Sequence, residues 1–574
     1  MALPSTLVWE CRSAGAAAFA GGFYDKPTGD AQGGTDHSTN ASPTSITGMT
    51  CLLVAPTVLL SASFTAAMAG NGIRIPNGGN WLGGMTPGWR LILSVVPGVS
   101  ATVDANCVSG GDGASATGYE GGCLLLADAL CEAAIGGNII WVKDDGAAHT
   151  IATINVSSTS ANADAPIWLV GYLSTITDRT DPTAGDNPTG TSRPLMDATV
   201  NAVNFATNWN FWNLRCASSA AEGFGNAIAR NNSIVRDCQF RNYSTTLGRS
   251  AVSTGASGAL RFQSCEFTSP YGIGMKGTTG GADLWSRCWF HDCAQFGLQY
   301  TTGANNDVEY CVFETCGVAL EVSTGGGGQV QGCDFYNCTI AINHTGAAGQ
   351  WTVENCIFAY CGSGLIGDVA GGTTIRTNWE NYNTFFNVTT PLTRWSSDPV
   401  ATNQIGPNSN ITFDPGWTET TWADLACADH VANYAVTSAA GGFSAKFIAA
   451  DGTLASFDNT KAQCIRITDL AGATEWDADG VYPIASVDSD GQITVYAAAD
   501  PTSGSDATGG LARWLKNFVL GASSPCRGAG AGVTGSPMPF GSAGTVEQGA
   551  WQAGAGAGGG YMPQTRRFGL RNVA

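Results

Sequence analysis

Apolar residues recur along the middle of the chain with a period in the twenties. Six cysteines are each followed two residues later by a phenylalanine, and the steps between them are 27, 23, 23, 22 and 23 residues. The pairs are Cys238 with Phe240, Cys265 with Phe267, Cys288 with Phe290, Cys311 with Phe313, Cys333 with Phe335, and Cys356 with Phe358. A fixed period of this length indicates a solenoid. Because segments such as 353–365 are β-rich with glycine turns, the pattern favours an all-β parallel β-helix over a leucine-rich repeat.

Two residues that are two positions apart point to the same side of a strand. We therefore predict that each cysteine and phenylalanine of the six pairs points inward and stacks on its equivalent about 4.8 Å away in the next turn. A second cysteine follows five residues after the first in four units, at Cys293, Cys316, Cys338 and Cys361. We interpret these thiols as reduced packing groups. No CxxC pair or nearby histidine completes a zinc site, so neither a metal nor a cofactor is predicted.

The residue between each cysteine and phenylalanine should point outward. These positions hold Gln239, Glu266, Trp289, Val312, Asp334 and Ile357. Trp289, Val312 and Ile357 would form an apolar patch on a surface expected to be polar. Either a loop of the same chain or another subunit must cover it, and we favour a subunit interface.

A second repeat links the two ends of the chain. Ile73-Arg74-Ile75 and Ile465-Arg466-Ile467 match at an offset of 392 residues, as do GWRLILSV at 88–95 and GVYPIASV at 480–487. Both stretches alternate apolar and polar residues, which predicts two small antiparallel β modules, one N-terminal and one inserted near the C-terminal end of the helix. The alternative is chance similarity between two glycine-rich β stretches.

These patterns divide the 574 residues into six parts. We predict an N-terminal segment that could dock (1–50), a β module (51–110), the β-helix with its cap (111–417), the inserted β module (418–512), a closing coil (513–552) and a glycine-rich tail (553–574).

Composition and charge argue against two classes of partner, nucleic acids and membranes. Charged residues make up 12% of the chain and the net charge is −19, so a nucleic-acid partner is not expected. The first residues lack the pattern of an export signal, and no apolar run is long enough to span a membrane.

The C-x-F-x-x-C units and glycine-rich turns resemble the right-handed parallel β-helix of the pectate-lyase-like superfamily. Segments 124–146 and 165–172 resemble the entry to such helices, with a capping helix, a first strand and an early coil. FDPGW at 413–417, FVLGASSPCRGAG at 518–530 and GTVEQGAW at 544–551 resemble a closing coil and last strand. The N-terminal 6–25 resembles the opening of phage-encoded β-helix proteins.

The resemblance implies polysaccharide lyases or hydrolases among its members, which makes the carboxylates of the repeat candidates for catalysis. Glu309 and Glu354 are weak catalytic candidates, because Gln331 lies between them and two turns would separate them by about 9.6 Å. Asp307 and Asp334 lie near enough to these glutamates in the sequence to contribute to such a site. His291 and His344 lack a regular carboxylate partner in the sequence. Solvated acids on an outer face are the simpler interpretation.

We therefore expect a non-catalytic structural protein of a tailed-phage virion: a head decoration, fibre or spike-like subunit, made in the host cytoplasm and located on the virion surface. The resemblance implies a homotrimer that contacts other virion proteins. Arg566, Arg567 and Arg571 in the tail would suit an acidic partner surface or the chain's own acidic body. The alternatives are a tailspike-like polysaccharide depolymerase and a glycan-binding module that uses surface aromatics such as Trp285, Trp289 and Trp379.

Overall fold

The computed structural model describes most of the β-rich segments of the chain. The described residues are 8–15, 22–23, 43–75, 86–108, 112–123, 125–126, 136–151, 154–156, 166–172, 193–198, 203–205, 208–218, 224, 233–254, 260–277, 283–301, 306–322, 327–345, 351–367, 379–393, 405–415, 422–432, 443–449, 464–471, 480–487, 492–497, 508–514 and 523–526.

Two long sheets with parallel pairing form the β-helix. The first sheet contains, in spatial order, Gly22–Phe23, Val8–Cys11, Ile139–Lys143, Ile167–Tyr172, Trp209–Trp212, Ile234–Arg236, Arg261–Gln263, Leu284–Ser286, Asn306–Glu309, Gly328–Gln331, Trp351–Glu354 and Trp379–Asn381. All neighbours pair in parallel except Gly22–Phe23, which is antiparallel to Val8–Cys11. Each turn of the helix thus adds one strand to this sheet, as the period predicts.

The second sheet covers the remaining faces. Its main path contains His149–Thr150, Leu195–Ala198, Arg215–Ser218, Gln239–Asn242, Glu266–Ser269, Trp289–Tyr300, Val312–Val322, Asp334–Tyr336, Ile357–Ala359 and Thr384–Phe386. Alongside the long strands 289–300 and 312–322 it also contains Ser250–Thr254, Ile273–Gly277, Ile340–His344, Ser363–Gly367 and Thr390–Thr393. A separate parallel pair consists of Ile154–Val156 and Val203–Phe205.

A single residue in the left-handed conformation forms each corner between the two sheets. Asn213, Asp237, Ser264, Arg287, Tyr310, Gly332, Asn355 and Tyr382 occupy this corner, with φ between 51° and 59°. Six of them immediately precede the cysteines of the six Cys–Phe pairs, whose members we call the ladder cysteines and ladder phenylalanines. The thiol after the corner turns back to the carbonyl two residues earlier, for example Cys238 Sγ to Arg236 O at 3.2 Å. A small apolar residue with a weak S–H donor suits this tight bend.

The core is a continuous stack of aromatic rings. The six cysteines and six phenylalanines of the repeat are each at most 1% exposed. Neighbouring phenylalanine rings are nearly parallel, and their centroids lie 4.7 to 5.4 Å apart. The rings of this stack belong, in order, to Phe240, Phe267, Phe290, Phe313, Phe335, Phe358 and Phe385. Their spacing matches the distance between strands of a sheet, so side chains repeat with the backbone.

The members of the stack next to its two ends show how the register is kept. Phe267 pairs with Phe240 on one side and with Phe290 on the other, and its ring is 0% exposed. Phe358 pairs in the same way with Phe335 and Phe385, and it is also 0% exposed. Phe385 therefore extends the stack by one turn beyond the six phenylalanines that the cysteine spacing picks out. Its turn has Asn383 in place of the ladder cysteine, which is why the spacing did not include it.

Two closed antiparallel barrels accompany the helix. Barrel 1 contains Thr44–Cys51, Val58–Leu60, Gly72–Ile75, Gly88–Val96, Ser100–Val103 and Gly113–Glu120, with a short 3₁₀ helix at Ala66–Met68. Barrel 2 contains Trp422–Ala432, Phe443–Ala449, Cys464–Ala471, Gly480–Val487, Gln492–Ala497 and Thr508–Trp514. Around each barrel the six strands follow the order 1-2-5-4-3-6 of their own sequence.

The pairing registers of the two barrels are also equivalent. Ile73 pairs with Arg90 in barrel 1, and Ile465 pairs with Tyr482 in barrel 2. Each residue of the barrel 2 pair lies 392 positions after its equivalent in barrel 1. Both barrels also carry a register shift at the same place, after Ile92 in one and after Ile484 in the other. The fold prediction, a β-helix with two small antiparallel modules, is confirmed.

Barrel 1 lies against the N-terminal end of the helix. Trp89 and Leu91 belong to the same buried cluster as Trp9, and the rings of Trp9 and Trp89 meet edge to face with centroids 5.8 Å apart. Val8–Cys11 pairs with Ile139–Val142 and is therefore a strand of the helix. The sequence assigned this strand to a separate N-terminal segment and expected the first strand after residue 124. Most of the predicted capping helix lies outside the described residues.

At the other end, Asn383 follows the last ladder cysteine in the stack. Its side chain accepts the backbone N–H of Cys356 at 2.9 Å and donates to Glu380 Oε2 at 2.9 Å. Glu380 occupies the inward column of the first sheet after Val353 and also accepts from Ser409 Oγ at 2.7 Å. Polar groups thus close the apolar stack here. Of the predicted closing segments, 413–415 and 523–526 are described, whereas 544–551 lies outside the described residues.

Candidate functional site

The candidate acids Glu309 and Glu354 share a column on the outer face of the first sheet. Glu309 pairs with Gln331, and Gln331 pairs with Glu354 in the next turn. Two turns between the glutamates correspond to about 9.6 Å. Both side chains are half-buried. The register places the pair as the sequence predicted, at the upper limit of carboxylate separations in inverting glycosidases.

A nearer pair of carboxylates lies on the same strand. Asp307 and Glu309 are two residues apart and point to the same face, about 6.6 Å apart along the strand. Burial raises the pKa of Asp307. Burial, with a further contribution from the Asp307 charge, also raises the pKa of Glu309, and the Arg287 guanidinium partly opposes this. Two carboxyl groups with raised pKa values on one polar face are chemically able to hold a proton.

The outward column of the second sheet follows the predicted alternation. Trp289, Val312, Asp334 and Ile357 pair in consecutive turns. Val312 and Ile357 are only 3% and 0% exposed, because the chain's own Cys526 and Phe413 pack on this face. Trp289 is partly buried beside them. Intramolecular cover thus exists for this patch, while a subunit interface at these residues stays a prediction.

A cluster of charged side chains lies beside this column. His291 Nδ1 is 2.8 Å from Asp292 Oδ2, and His291 Nε2 is 3.2 Å from Glu266 Oε1. Arg241 Nη2 donates to the same Glu266 oxygen at 3.0 Å. Glu314 follows His291 in register on the next turn. We call these five residues the charge cluster. The expectation that His291 lacks a carboxylate partner was wrong, because one partner is its neighbour in the chain and the other lies one turn away.

The charge cluster is held in a fixed arrangement by its surroundings. The Trp289 ring stacks on the His291 ring with centroids 4.0 Å apart. His291, Asp292 and Glu314 are each at most 8% exposed. Gln239 Nε2 donates to the second oxygen of Glu266 at 2.6 Å. The alternation that predicted outward Glu266 also places His291 and Glu314 outward, each one residue after a ladder phenylalanine, so the sequence did contain the signal.

Burial and mutual interactions separate the pKa values in the charge cluster. Burial alone would lower the pKa of His291, but hydrogen bonds and charges of Asp292 and Glu266 outweigh it and raise that pKa to about 10. Burial alone would raise the pKa of Glu266, yet His291 and Arg241 lower it to about 2. For Glu314, burial and the Asp292 charge raise the pKa to about 8. Near neutral pH His291 is therefore protonated, Glu266 is ionised and Glu314 is neutral.

The charge cluster lies under barrel 2. The second carboxylate oxygen of Asp292, Oδ1, accepts the backbone N–H of Cys464 at 3.0 Å. Cys464 Sγ approaches Pro270 O at 3.5 Å. Arg466 reaches past the cluster and donates to Tyr360 O. Strands 464–471 and 480–487 of barrel 2 thus contact the long strands 289–300 and 312–322.

Other residues considered in the sequence have different surroundings. Trp285 is 1% exposed and packs in the core against Phe262 and Tyr300, so its assignment as a surface aromatic was wrong. Asp334 and His344 are fully buried. The side chain of Trp379 and the tail residues Arg566, Arg567 and Arg571 lie outside the described residues.

Metal sites and membrane spans are both missing from the described part of the chain. Within it, no group of three or more histidine, cysteine, aspartate or glutamate side chains has the arrangement of a metal site. Its helices include none with the length and apolar character needed to cross a membrane.

Comparison with known proteins gives a family match for the middle of the chain. Residues 215–384 match the family model described as a right handed beta helix region. Curated proteins provide no match.

Solved structures provide distant likenesses. The pectate lyase Pel9A has 12% identity and a TM-score of 0.38, with 75% of this chain and 91% of that chain covered. The tailspike protein gp49 from Pseudomonas phage LKA1 has 9% identity and a TM-score of 0.17, with 82% of each chain covered. A tailspike protein of E. coli bacteriophage HK620 has 9% identity and a TM-score of 0.17, with 66% and 87% covered. Likenesses this distant have no bearing on activity. The chain contains a right-handed parallel β-helix, and residues 215–384 are the part that matches its family model.

Proposed function

We propose that the chain is a non-catalytic structural protein on the surface of a tailed-phage particle, as a head decoration, fibre or spike-like subunit. The observation that carries the proposal is the unbroken ring stack from Phe240 to Phe385. Because every turn buries its rings against both neighbours, bending the helix would open several contacts at once. Such a core suits a rigid spacer.

The ends of the helix support the same proposal. An exposed terminal turn would present unpaired strand edges and an open core, which invites end-to-end association. Trp89 and Leu91 of barrel 1 pack into the core at one end, and the Asn383–Glu380 pair terminates it at the other. The helix is thereby built as a unit of fixed length.

The resemblance of residues 6–25 to phage β-helix proteins supports the location on a virion. We further propose a homotrimer that contacts other virion proteins, with the arginine-bearing tail as a docking element. Quantitative mass spectrometry of purified particles tests this proposal. The chain should be present at a fixed copy number that is a multiple of three, and its absence from particles freed of soluble protein would overturn the proposal.

A polysaccharide depolymerase is the second candidate, and the pair Asp307 and Glu309 favours it. Their Cα atoms are about 6.6 Å apart along one strand, and their side chains point to the same face, which allows their carboxyl groups the separation of an inverting pair. One of the two would hold a proton for the leaving group, and the other would activate water on the opposite side of the bond.

Incubation with the host's surface polysaccharide separates the two candidates. New reducing ends that appear with the native protein, and disappear with Glu309→Gln and with Asp307→Asn, would support the enzyme. Glu321→Gln is the matched control, because Glu321 is a buried glutamate of the second sheet whose carboxylate accepts the Thr345 hydroxyl at 3.2 Å. For the structural proposal we expect no new ends with any of these proteins.

A further inference from the structure

The contact between barrel 2 and the β-helix depends on charged groups. Asp292 links the two parts, because one carboxylate oxygen contacts His291 and the other accepts the Cys464 N–H. Asp292 itself lies at a left-handed corner of the helix, with φ of 50°. The carboxylate is thus aimed at barrel 2 by the backbone of the helix.

Arg466 provides the second polar link. Its guanidinium donates to Tyr360 O and lies 3.5 Å from Asn337 Oδ1. Gly362 makes room for it, because a Cβ at this position would lie 3.2 Å from Arg466 Nη2. Asn337 and Tyr360 occupy the same type of left-handed corner as Asp292, on later turns. A row of corners therefore receives one edge of barrel 2.

Barrel 1 uses the equivalent edge for an aromatic contact. Its Gly72 and Arg74 correspond to Cys464 and Arg466 by the offset of 392. Arg74 lies over the Trp89 ring at 3.5 Å, and Trp89 packs on Trp9 of the helix. Two barrels of one topology thus dock by different means: an aromatic contact for barrel 1 and the charge cluster for barrel 2.

We propose that the charge cluster is a pH-sensitive clasp, whose charge balance holds barrel 2 on the β-helix and whose loss in alkaline solution loosens barrel 2 while barrel 1 stays docked. The groups that face the clasp come from each element packed around it. They are Arg241, Glu266, His291, Asp292 and Glu314 of the cluster, the thiols of Cys293 and Cys338, and Cys464 and Arg466 of barrel 2.

The direction of the pH effect on docking depends on whether the docked or the undocked state of barrel 2 holds more protons. Burial raises the pKa of Glu314 from 4.5 to about 8, so the docked state keeps a proton that an exposed carboxyl releases, and docking weakens as pH rises through this window. Asp292 and Glu266 outweigh burial and raise the pKa of His291 from 6.5 to about 10, and both belong to the β-helix, so His291 stays protonated through this window whether or not barrel 2 is docked. Burial alone would raise the pKa of Glu266, but His291 and Arg241 of the β-helix lower it to about 2, so the charge of Glu266 does not change above pH 6.

Hydrogen exchange of the full chain tests the clasp. The peptide that contains Cys464 reports on barrel 2, and the peptide that contains Gly72 is the matched control in barrel 1. After correction for intrinsic exchange, we expect the Cys464 peptide to exchange about tenfold to hundredfold faster at pH 9 than at pH 6, since one linked proton gives up to tenfold per pH unit. The Gly72 peptide should change less than about twofold. Equal changes in the two peptides, or none, would overturn the proposal.

Two variants separate the clasp from general alkaline unfolding. Glu314→Gln keeps the shape of the neutral acid and removes its titration, so the rise in exchange between pH 6 and pH 8 should fall below about threefold. Glu309→Gln makes the same change on the first sheet, away from barrel 2, and should behave as the native chain. A Glu314→Gln protein with the native pH profile, or a Glu309→Gln protein that loses it, would contradict the proposal. If Glu314→Gln does not fold, the native comparison of the two peptides still decides.

Discussion

Phe313 lies in the middle of the ring stack, and its replacement by alanine is the most demanding test of the core. Its ring centroid is 4.8 Å from that of Phe290 and 4.9 Å from that of Phe335, and the side chain is 0% exposed. Phe313→Ala removes a buried ring whose neighbours are fixed by backbone pairing on both sides. The resulting cavity therefore has little freedom to collapse.

We expect Phe313→Ala to reduce the free energy of unfolding of the helix by about 3–5 kcal/mol, the usual cost of this truncation in a core. Phe313→Leu keeps most of the apolar volume and loses two ring contacts, so about 1–3 kcal/mol is expected. Urea denaturation followed by circular dichroism measures both. Tyr243→Ala, at a side chain that is 48% exposed, is the control and should cost less than about 0.5 kcal/mol.

The ordering of the three variants is decisive. If Phe313→Ala costs no more than Tyr243→Ala, the ring stack does not stabilise the helix as described. A cost of Phe313→Leu equal to that of Phe313→Ala would show that ring shape, rather than buried volume, dominates.

Three further predictions concern the corners, a buried acid and the thiols. Ser264→Gly should stabilise the chain by about 0.5–1 kcal/mol in the same denaturation assay, because Ser264 has φ of 53° and glycine occupies the equivalent corner at Gly332; a destabilised variant would contradict this. Burial raises the pKa of Asp283 from 3.8 to about 6, so its contribution to stability should fall by about 2 kcal/mol between pH 4 and pH 7, and Asp283→Asn should lose that component in paired urea titrations. The six ladder cysteines and the four second cysteines should react as free thiols after denaturation without reductant, and fewer reactive thiols would overturn the interpretation of these residues as packing groups.

The repeat was predictable because a stacked core imposes its period on the sequence. A ladder position must hold a residue of similar size in every turn, so Cys288, Cys311 and Cys333 recur at a readable spacing. The two barrels were recognisable for a related reason. Strand register depends on alternation, and the alternation at 88–95 and 480–487 is preserved.

Contacts between distant segments were not predictable in this way. Nothing local in Val8–Cys11 indicates that it pairs with a strand more than 120 residues later. Trp285 was expected among the surface aromatics of the glycan-binding alternative, whereas its place in the inward column after Phe262 buries it. The contact of the charge cluster with barrel 2 was also not predictable, because it joins Asp292 to Cys464, which lies 172 residues later in the chain.

Electron microscopy of intact phage particles tests the central claim most directly. We predict rod-shaped projections on the particle surface whose density fits the β-helix, with barrel 1 at one end and barrel 2 at the side. Projections that disappear when the gene is deleted would identify the chain. Intact projections after that deletion, or a particle without density for the β-helix, would contradict the account.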